Sequence, residues 1–161
     1  MTGIGTYNKS PVFIYDRTEA DVNRVKELAS AGWDGMSKED KKAWLTGLKG
    51  TFNRSDMERL ESNCAQIAEL LRLKIDTYAE EFPIYPDQDY FLHLLGNVAT
   101  LRKSGYRYIE TPEVPNMPVN TWQKMNDLEK ILCDVYTVYS NHFKYYAGNE
   151  IYAGETTGFL L

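Results

Sequence analysis

Residues 16–63 read DRTEADVNRVKELASAGWDGMSKEDKKAWLTGLKGTFNRSDMERLESN and carry three helix starts separated by glycines. Each start places a serine or threonine three positions before an acidic residue, which is the spacing of a capping box. The pairs are Thr18 with Asp21, Ser37 with Asp40, and Ser55 with Glu58. Gly32 ends the first predicted helix, and Gly47 and Gly50 close the second. The stretch therefore predicts three short helices in close succession.

Apolar residues continue at helical spacing downstream of this stretch. The third helix carries the longest clear stripe, formed by Leu60, Cys64, Ile67, Leu70 and Leu71. A fourth helix is expected to begin after Pro86 or Asp87 and to stop at Gly105. The predicted core anchors are Trp33, Trp44, Leu60, Ile67, Trp122, Leu128 and Leu132.

A fifth helix, capped by Asn120 or Thr121, is expected to run to Asn141. Beyond it, glycines divide the chain into short aromatic pieces that are typical of strands or turns. Ahead of the first helix, residues 11–15 (PVFIY) are apolar and β-branched, as in an extended arm or an edge strand. The prediction is a mainly α fold with a compact bundle of about five helices. Its parts are an extended N-terminal arm (1–15), the helical bundle (16–141) and a Gly/Tyr-rich tail with short β or turn segments (142–161).

The composition predicts one soluble domain with no nucleic-acid or membrane partner. With 161 residues, 43% of them hydrophobic, the chain can bury a core of its own. Its formal net charge is -5 and its basic residues are scattered, whereas a nucleic-acid surface needs a dense basic patch. No apolar run approaches the ~18 residues of a membrane span, and the first residues lack the basic and apolar regions of a signal peptide. We therefore expect a soluble protein that the general secretory route does not export.

Residue types that carry chemistry are few and far apart. The two histidines, His93 and His142, lie on different predicted elements with no carboxylate at metal-ligand spacing. The chain has no phosphate-binding loop, nucleophile elbow or C-x-x-C pair. We therefore predict no catalytic, metal or cofactor site and no enzyme activity, with one alternative left open, a carboxylate pair that the fold alone brings together. Cys64 and Cys133 fit either two buried thiols or a disulfide.

Aromatic residues near the two ends are the candidate interface. The chain has twelve tyrosines, and tyrosine suits interfaces because its large rigid ring carries a polar tip. The predicted interface residues are Phe13, Tyr15, Tyr145, Tyr146, Ile151, Tyr152 and Phe159. Two interpretations stay open. Both ends reach a neighbouring subunit, for example by adding a strand to its sheet, or both fold back on their own bundle.

Several sequence motifs follow one another along the chain in the same order as in a known group of proteins. The first are DRTEADVNRVKEL (16–28), GWDGMSKED (32–40), WLTGLKG (44–50) and NRSDMERLESN (53–63). The later ones are LLGNVATLR (94–102), PEVPNMP (112–118), NDLEKILCDVY (126–136) and IYAGE (151–155). Over residues 12–155 the chain resembles a module of tail-associated structural proteins of phages and prophages of Gram-positive bacteria.

The resemblance implies a virion component near the tail tip, baseplate or fibre attachment, assembled in the bacterial host cytoplasm and lacking a cofactor. The implied partners are other tail proteins and copies of the chain itself, as a free-standing subunit or as a connector. A second hypothesis is a module that binds host-surface glycan, with Trp33, Trp44 or Trp122 stacked on a sugar. The helical phase instead places Trp44 and Trp122 toward the core. A third hypothesis is an accessory enzyme that cleaves the cell wall.

Overall fold

The computed structural model describes residues 10–76, 78 and 85–146, with side chains through residue 142. Its helices are α1 (Glu19–Gly35), α2 (Lys38–Thr46), α3 (Arg54–Leu71), α4 (Gln88–Arg102) and α5 (Trp122–Tyr146). No strand occurs within the described ranges, so the prediction of a mainly α fold with five helices is confirmed there. Residues 1–9 of the predicted arm and residues 147–161 of the predicted tail lie outside the described residues.

The first two helices begin where the capping patterns predict. Thr18 and Asp21 form a reciprocal capping box, in which the Asp21 N–H donates to the Thr18 hydroxyl and the Thr18 N–H donates to the Asp21 carboxylate. The Ser37 hydroxyl accepts from the Asp40 N–H at the start of α2. Gly32 has a φ of 66°, which interrupts the helical geometry of α1 at the predicted stop, and helical residues resume as far as Gly35.

The third helix begins earlier than predicted. Asn53, and not Ser55, is its N-cap, because the Asn53 side chain accepts from the N–H groups of Ser55 and Asp56. Asp56 completes the box by accepting from the Asn53 N–H at 3.1 Å. Glu58 instead pairs with Arg54 on the surface. The predicted box of Ser55 and Glu58 is therefore wrong, since asparagine is as strong an N-cap as serine and stands two positions earlier.

The fourth and fifth helices differ from the prediction only at their ends. Asp87 caps α4 by accepting from the Tyr90 N–H at 2.8 Å. Thr121 caps α5 by accepting from the Lys124 N–H at 3.3 Å. The predicted end of α5 at Asn141 is wrong, because the helix continues through Tyr146. Residues 142–146 (HFKYY) hold no glycine or proline that would stop it.

The core lies where α3, α4 and α5 pack pairwise against one another. Four predicted anchors are confirmed, since none is more than 1% exposed: Leu60, Ile67, Leu128 and Leu132. Cys64 is buried in this core and Cys133 is half-buried, and both are free thiols. Burial raises the pKa of the Cys64 thiol above its ordinary value, so the buried thiol stays protonated and packs as a small apolar group.

The three tryptophans are not core anchors, which corrects the prediction. Trp33 is 49% exposed and Trp44 is 36% exposed. Both belong to α1 and α2, which lie beside the three packed helices, and α2 has no buried residue. Trp122 is half-buried and lies outside the core cluster, because it occupies the first position of α5. Helical phase indicates which side of a helix is apolar but not whether another helix covers that side.

Gly50 brings the loop between α2 and α3 against the start of α1. A Cβ atom at this position would lie 2.8 Å from the backbone nitrogen of Val22 and still closer to the Asp21 carbonyl group. Lys49 strengthens the same contact through an ion pair with Asp16 at 2.7 Å. Only glycine allows this close approach of two backbones without a shift.

Replacing Gly50 by alanine is expected to lower the free energy of unfolding by about 1–3 kcal/mol, because the new methyl group overlaps the α1 backbone. The matched control is Gly96→Ala in α4, where an added Cβ meets nothing within 4 Å. That change is expected to stabilise the protein by about 0.5–1 kcal/mol through helix propensity. Urea unfolding followed by circular dichroism measures both. Equal stabilities for the two variants would contradict the close approach at Gly50.

Candidate interaction site

A buried ion network fastens the N-terminal segment to the bundle. We call residues 10–17 the strap and define the Glu129 network as Arg17, Asp56, Arg59 and Glu129. Glu129 lies on α5 with its side chain 0% exposed, and Arg17 of the strap is 3% exposed. Arg59 and Asp56 come from α3 and are 18% and 13% exposed. The network therefore joins the strap, α3 and α5 at one buried point.

The Glu129 carboxylate is fully engaged in this network. It accepts from Arg17 Nη1 at 2.9 Å, from Arg59 Nη1 at 2.5 Å and Nη2 at 2.8 Å, and from the Ile14 N–H at 2.6 Å. Asp56 contacts both guanidinium groups, so two positive and two negative charges balance. Burial opposes the charge on Arg59, but hydrogen bonds and attraction from Glu129 and Asp56 outweigh it and raise the pKa of Arg59. Such pairing is what makes a buried charge tolerable.

Backbone groups of the strap also pair with bundle side chains. The Asn126 amide bonds both ways with the Arg17 backbone, at 3.2 Å to its N–H and 2.8 Å to its carbonyl. The Asn63 amide donates to the Val12 carbonyl at 2.7 Å. Side chains thus satisfy several polar backbone groups of an extended segment that has no sheet partner among the described residues.

The sequence patterns did not reveal this network. Glu129, Arg17 and Asn126 were not among the predicted site residues. One signal was present, because Glu129 adjoins Leu128 and lies three residues before Leu132 on the inward stripe of α5. A carboxylate on a buried stripe requires a cationic partner, and the partners lie 112 and 70 positions away in sequence. Spacing within one helix cannot identify partners at that distance.

Among the predicted interface residues, the structure separates Phe13 from Tyr15. Phe13 packs against the core, with its ring centre 6.0 Å from that of Tyr136. Tyr15 is 43% exposed, two positions further along the strap. Tyr145 and Tyr146 belong to α5, but their side chains lie outside the described part of the chain. Ile151, Tyr152 and Phe159 lie entirely outside it, and so their interface role stays a prediction.

Tyr15 belongs to an exposed cluster with Tyr108 and Lys130. The Lys130 ammonium lies 5.9 Å from the centre of each of these two rings, within range of a cation–π contact. Lys130 also pairs with buried Asp134, which accepts from the Thr111 hydroxyl at 2.8 Å. Electrostatic interaction with Cys133 is the largest of the effects that raise the pKa of Tyr15. The phenol is therefore neutral at physiological pH.

A second exposed apolar surface lies on α1 and α2, and we call it the hairpin patch: Trp33, Trp44 and Leu45. Leu45 is 75% exposed. The Lys41 ammonium lies 5.4 Å from the centre of the Trp33 ring. Trp44 and Leu45 follow Lys41 by three and four positions, which places them on the same side of α2 as Lys41. Large side chains exposed side by side are typical of a surface that another molecule covers.

The described residues also surround an open cleft of about 530 Å³ between α1, residues 50–52 and the first turns of α4 and α5. Its apolar floor includes Phe52 and Phe91, whose ring centres are 5.5 Å apart, together with Val119 and Met125. Trp122 forms part of the wall. The polar lining residues are Arg17, Glu19, Asn23, Lys26, Thr51, Asn120, Thr121 and Gln123. This cleft is within the size range of ligand sites.

A carboxylate and an imidazole pair lies away from the cleft, between α3 and α4. Both Glu61 oxygens lie 3.1 Å from His93 Nε2. Asn97 lies beside the same nitrogen at 3.2 Å and exchanges two hydrogen bonds with the Asp76 backbone. Burial raises the pKa of Glu61, and the nearby His93 offsets part of that rise. None of these residues lines the cleft, so we interpret the cluster as a tie between α3, α4 and the loop after α3.

Neither a metal site nor a membrane span was found among the described residues. No group of three or more His, Cys, Asp or Glu side chains there is arranged to hold a metal ion. No described helix is both long and apolar enough to cross a membrane. Comparison with known proteins gave no match to a family model, a curated protein or a solved structure. Function is therefore inferred from the surfaces of the chain itself and from the resemblance in its sequence.

Glu61 is expected to make stability depend on pH. Because its pKa is raised above 4.5 on folding, its stabilising contribution is complete below that pH and is lost as the pH rises through the folded pKa. Compared with Glu61→Gln, the wild type is expected to lose free energy of unfolding between pH 4.5 and pH 7.5. Urea unfolding of both proteins at the two pH values measures the difference. A difference that stays constant with pH would contradict the raised pKa.

Proposed function

We propose that the protein is a non-enzymatic structural component of a phage or prophage tail, acting in the baseplate or fibre-attachment region by packing against neighbouring subunits. The sequence resemblance supports this assignment, since its ordered stretches span nearly the whole chain. Three of them supply the Glu129 network: DRTEADVNRVKEL gives Arg17, NRSDMERLESN gives Asp56 and Arg59, and NDLEKILCDVY gives Glu129. In this interpretation the quoted stretches maintain a scaffold that presents surfaces.

The observation that carries the proposal is the hairpin patch. Trp33, Trp44 and Leu45 expose large apolar area beside a bundle whose described core is formed by other residues. Burial of such area is the main driving force of association between subunits. A virion component needs surfaces of this kind, and its partners here are other tail proteins and copies of the chain.

Incorporation into particles tests the proposal. Phage particles are induced and purified from the host whose genome encodes the chain. Mass spectrometry is expected to detect the chain in their tail fraction. Leu45→Glu places a charge on the hairpin patch and is expected to reduce incorporation, while circular dichroism shows a folded chain. The matched control is Leu92→Glu on α4, which alters a residue that is 50% exposed and outside the patch.

Two results would count against the proposal. Absence of the wild-type chain from purified particles would reject the structural role. Equal incorporation of Leu45→Glu and Leu92→Glu would reject the hairpin patch as the contact. Light scattering of the isolated chain measures its molar mass in solution. Self-association predicts a molar mass above that of one chain.

Glycan binding is a second candidate, and the exposure of Trp33 and Trp44 favours it more than the sequence did. An exposed indole can stack on the apolar face of a sugar ring, which a buried indole cannot do. Pull-down with purified cell-wall polysaccharide tests this candidate, with Trp33→Ala as the variant and Trp122→Ala as the comparison. Binding by the wild type that Trp33→Ala abolishes would support glycan recognition, and no binding by the wild type would reject it.

A further inference from the structure

We propose that the cleft between α1, residues 50–52, α4 and α5 binds a peptide segment of a partner protein that carries an apolar side chain and a carboxylate. The apolar side chain occupies the aromatic floor, and the carboxylate lies at the rim near Lys26. The proposed ligand is a part of the partner in the proposed assembly role. The inference rests on that role in one respect only, namely that the partner is a protein.

The floor of the cleft fits an apolar side chain. Phe52 and Phe91 are tilted at 31° with ring centres 5.5 Å apart, and Tyr90 packs behind Phe91 at 5.6 Å. Val119 and Met125 complete the floor and are 7% and 6% exposed. Phenylalanine, valine and methionine offer no hydrogen bonds to sugar hydroxyl groups, so the floor favours an aliphatic or aromatic residue over a glycan.

The wall of the cleft carries a cation, unpaired within the described part of the chain, and several hydrogen-bond donors. Lys26 has no ion-pair partner among the described residues, and the amides of Asn23, Asn120 and Gln123 line the same wall. Glu19 is the one carboxylate among the residues lining it. A ligand that presents hydrogen-bond acceptors, above all a carboxylate, therefore complements this wall. The preference is local, because the chain as a whole has a net charge of -5.

The first turn of α5 adds to this preference. It contains no acidic residue, and Thr121 already accepts from the N–H groups of Lys124 and Met125. The N–H groups of Trp122 and Gln123 have no partner in the described part of the chain, and both residues line the cleft. The positive end of the helix dipole thus lies at the cleft and favours negative charge.

Arg17 supplies a second, independent indication. Its side chain is 3% exposed, it lines the cleft, and its Nε–H has no hydrogen-bond partner within the described ranges. The other end of the guanidinium is occupied by Glu129, Asp56 and the Ile14 carbonyl. A buried donor without a partner costs free energy, and an acceptor that a ligand brought within hydrogen-bond distance of Nε would relieve that cost.

The test is an NMR titration of the full chain with two matched probes, N-acetylphenylalanine and its amide. Both probes are expected to shift the resonances of Phe52, Phe91 and the Trp122 indole. The carboxylate is expected to bind about fivefold more tightly than the amide. Lys26→Ala is expected to reduce that preference, and Glu19→Gln is expected to tighten binding of the carboxylate about twofold. Lys42→Ala, on α2 outside the cleft, is the control and should leave both affinities unchanged.

Three outcomes would overturn the inference. Cleft resonances that do not move with either probe would reject the site. Equal affinity for acid and amide, or an unchanged preference in Lys26→Ala, would reject the carboxylate. Binding of chitotriose at the cleft without binding of either probe would assign it to glycan. Lys26, Glu19 and Lys42 are exposed, so their substitution is expected to preserve the fold. The proposed function is tested separately, by incorporation of the chain into particles.

Discussion

The carboxylate of Glu129 imposes the constraint on which the rest of this fold depends. It lies on the inward stripe of α5 beside fully buried leucines, where water cannot solvate it. A charge in such a place must be matched by opposite charge and by hydrogen bonds, or it destabilises the fold by several kcal/mol. Two arginines and one backbone N–H meet this requirement, and they come from the strap and from α3. The strap and α3 are thus fastened to α5 through the same carboxylate.

The position of the strap determines what the surface presents. With Arg17 held between Glu129 and Asp56, the first residue of α1 follows two positions later, and Gly50 packs against that helix. The wall of the cleft is formed by this arrangement, because α1 supplies Glu19, Asn23 and Lys26. Tyr15 is exposed on the same strap, whereas Phe13 is half-buried and packs against the core. One buried carboxylate therefore organises two surfaces.

Local chemistry was predictable from the sequence, and long-range partnership was not. The caps at Thr18, Ser37 and Asp87 follow from hydrogen bonds between residues three positions apart, so the sequence contains all the information they need. The exposure of Trp33 and Trp44 depends on whether another helix covers α1 and α2, which no periodicity records. The start of α3 was misplaced for a simpler reason, since Asn53 competes with Ser55 for the same cap.

The candidate site was also only partly predictable. Tyr15 was identified as an interface residue by its residue type. The cleft was not predicted, because its residues come from four separate parts of the chain, including Lys26, Phe52, Phe91 and Met125. Their proximity is created by packing α1 and the loop of Gly50 against the ends of α4 and α5. The exposed apolar surfaces favour a role in assembly, which stays our proposal.

Hydrogen exchange of the Ile14 amide tests the central claim most directly, because this N–H donates to Glu129 at 2.6 Å and belongs to no helix. If the buried carboxylate holds the strap in place, the Ile14 amide exchanges as slowly as the amide of Leu132 in the middle of α5. Exchange of Ile14 at the rate of an unstructured peptide, with Leu132 still protected, would contradict this account.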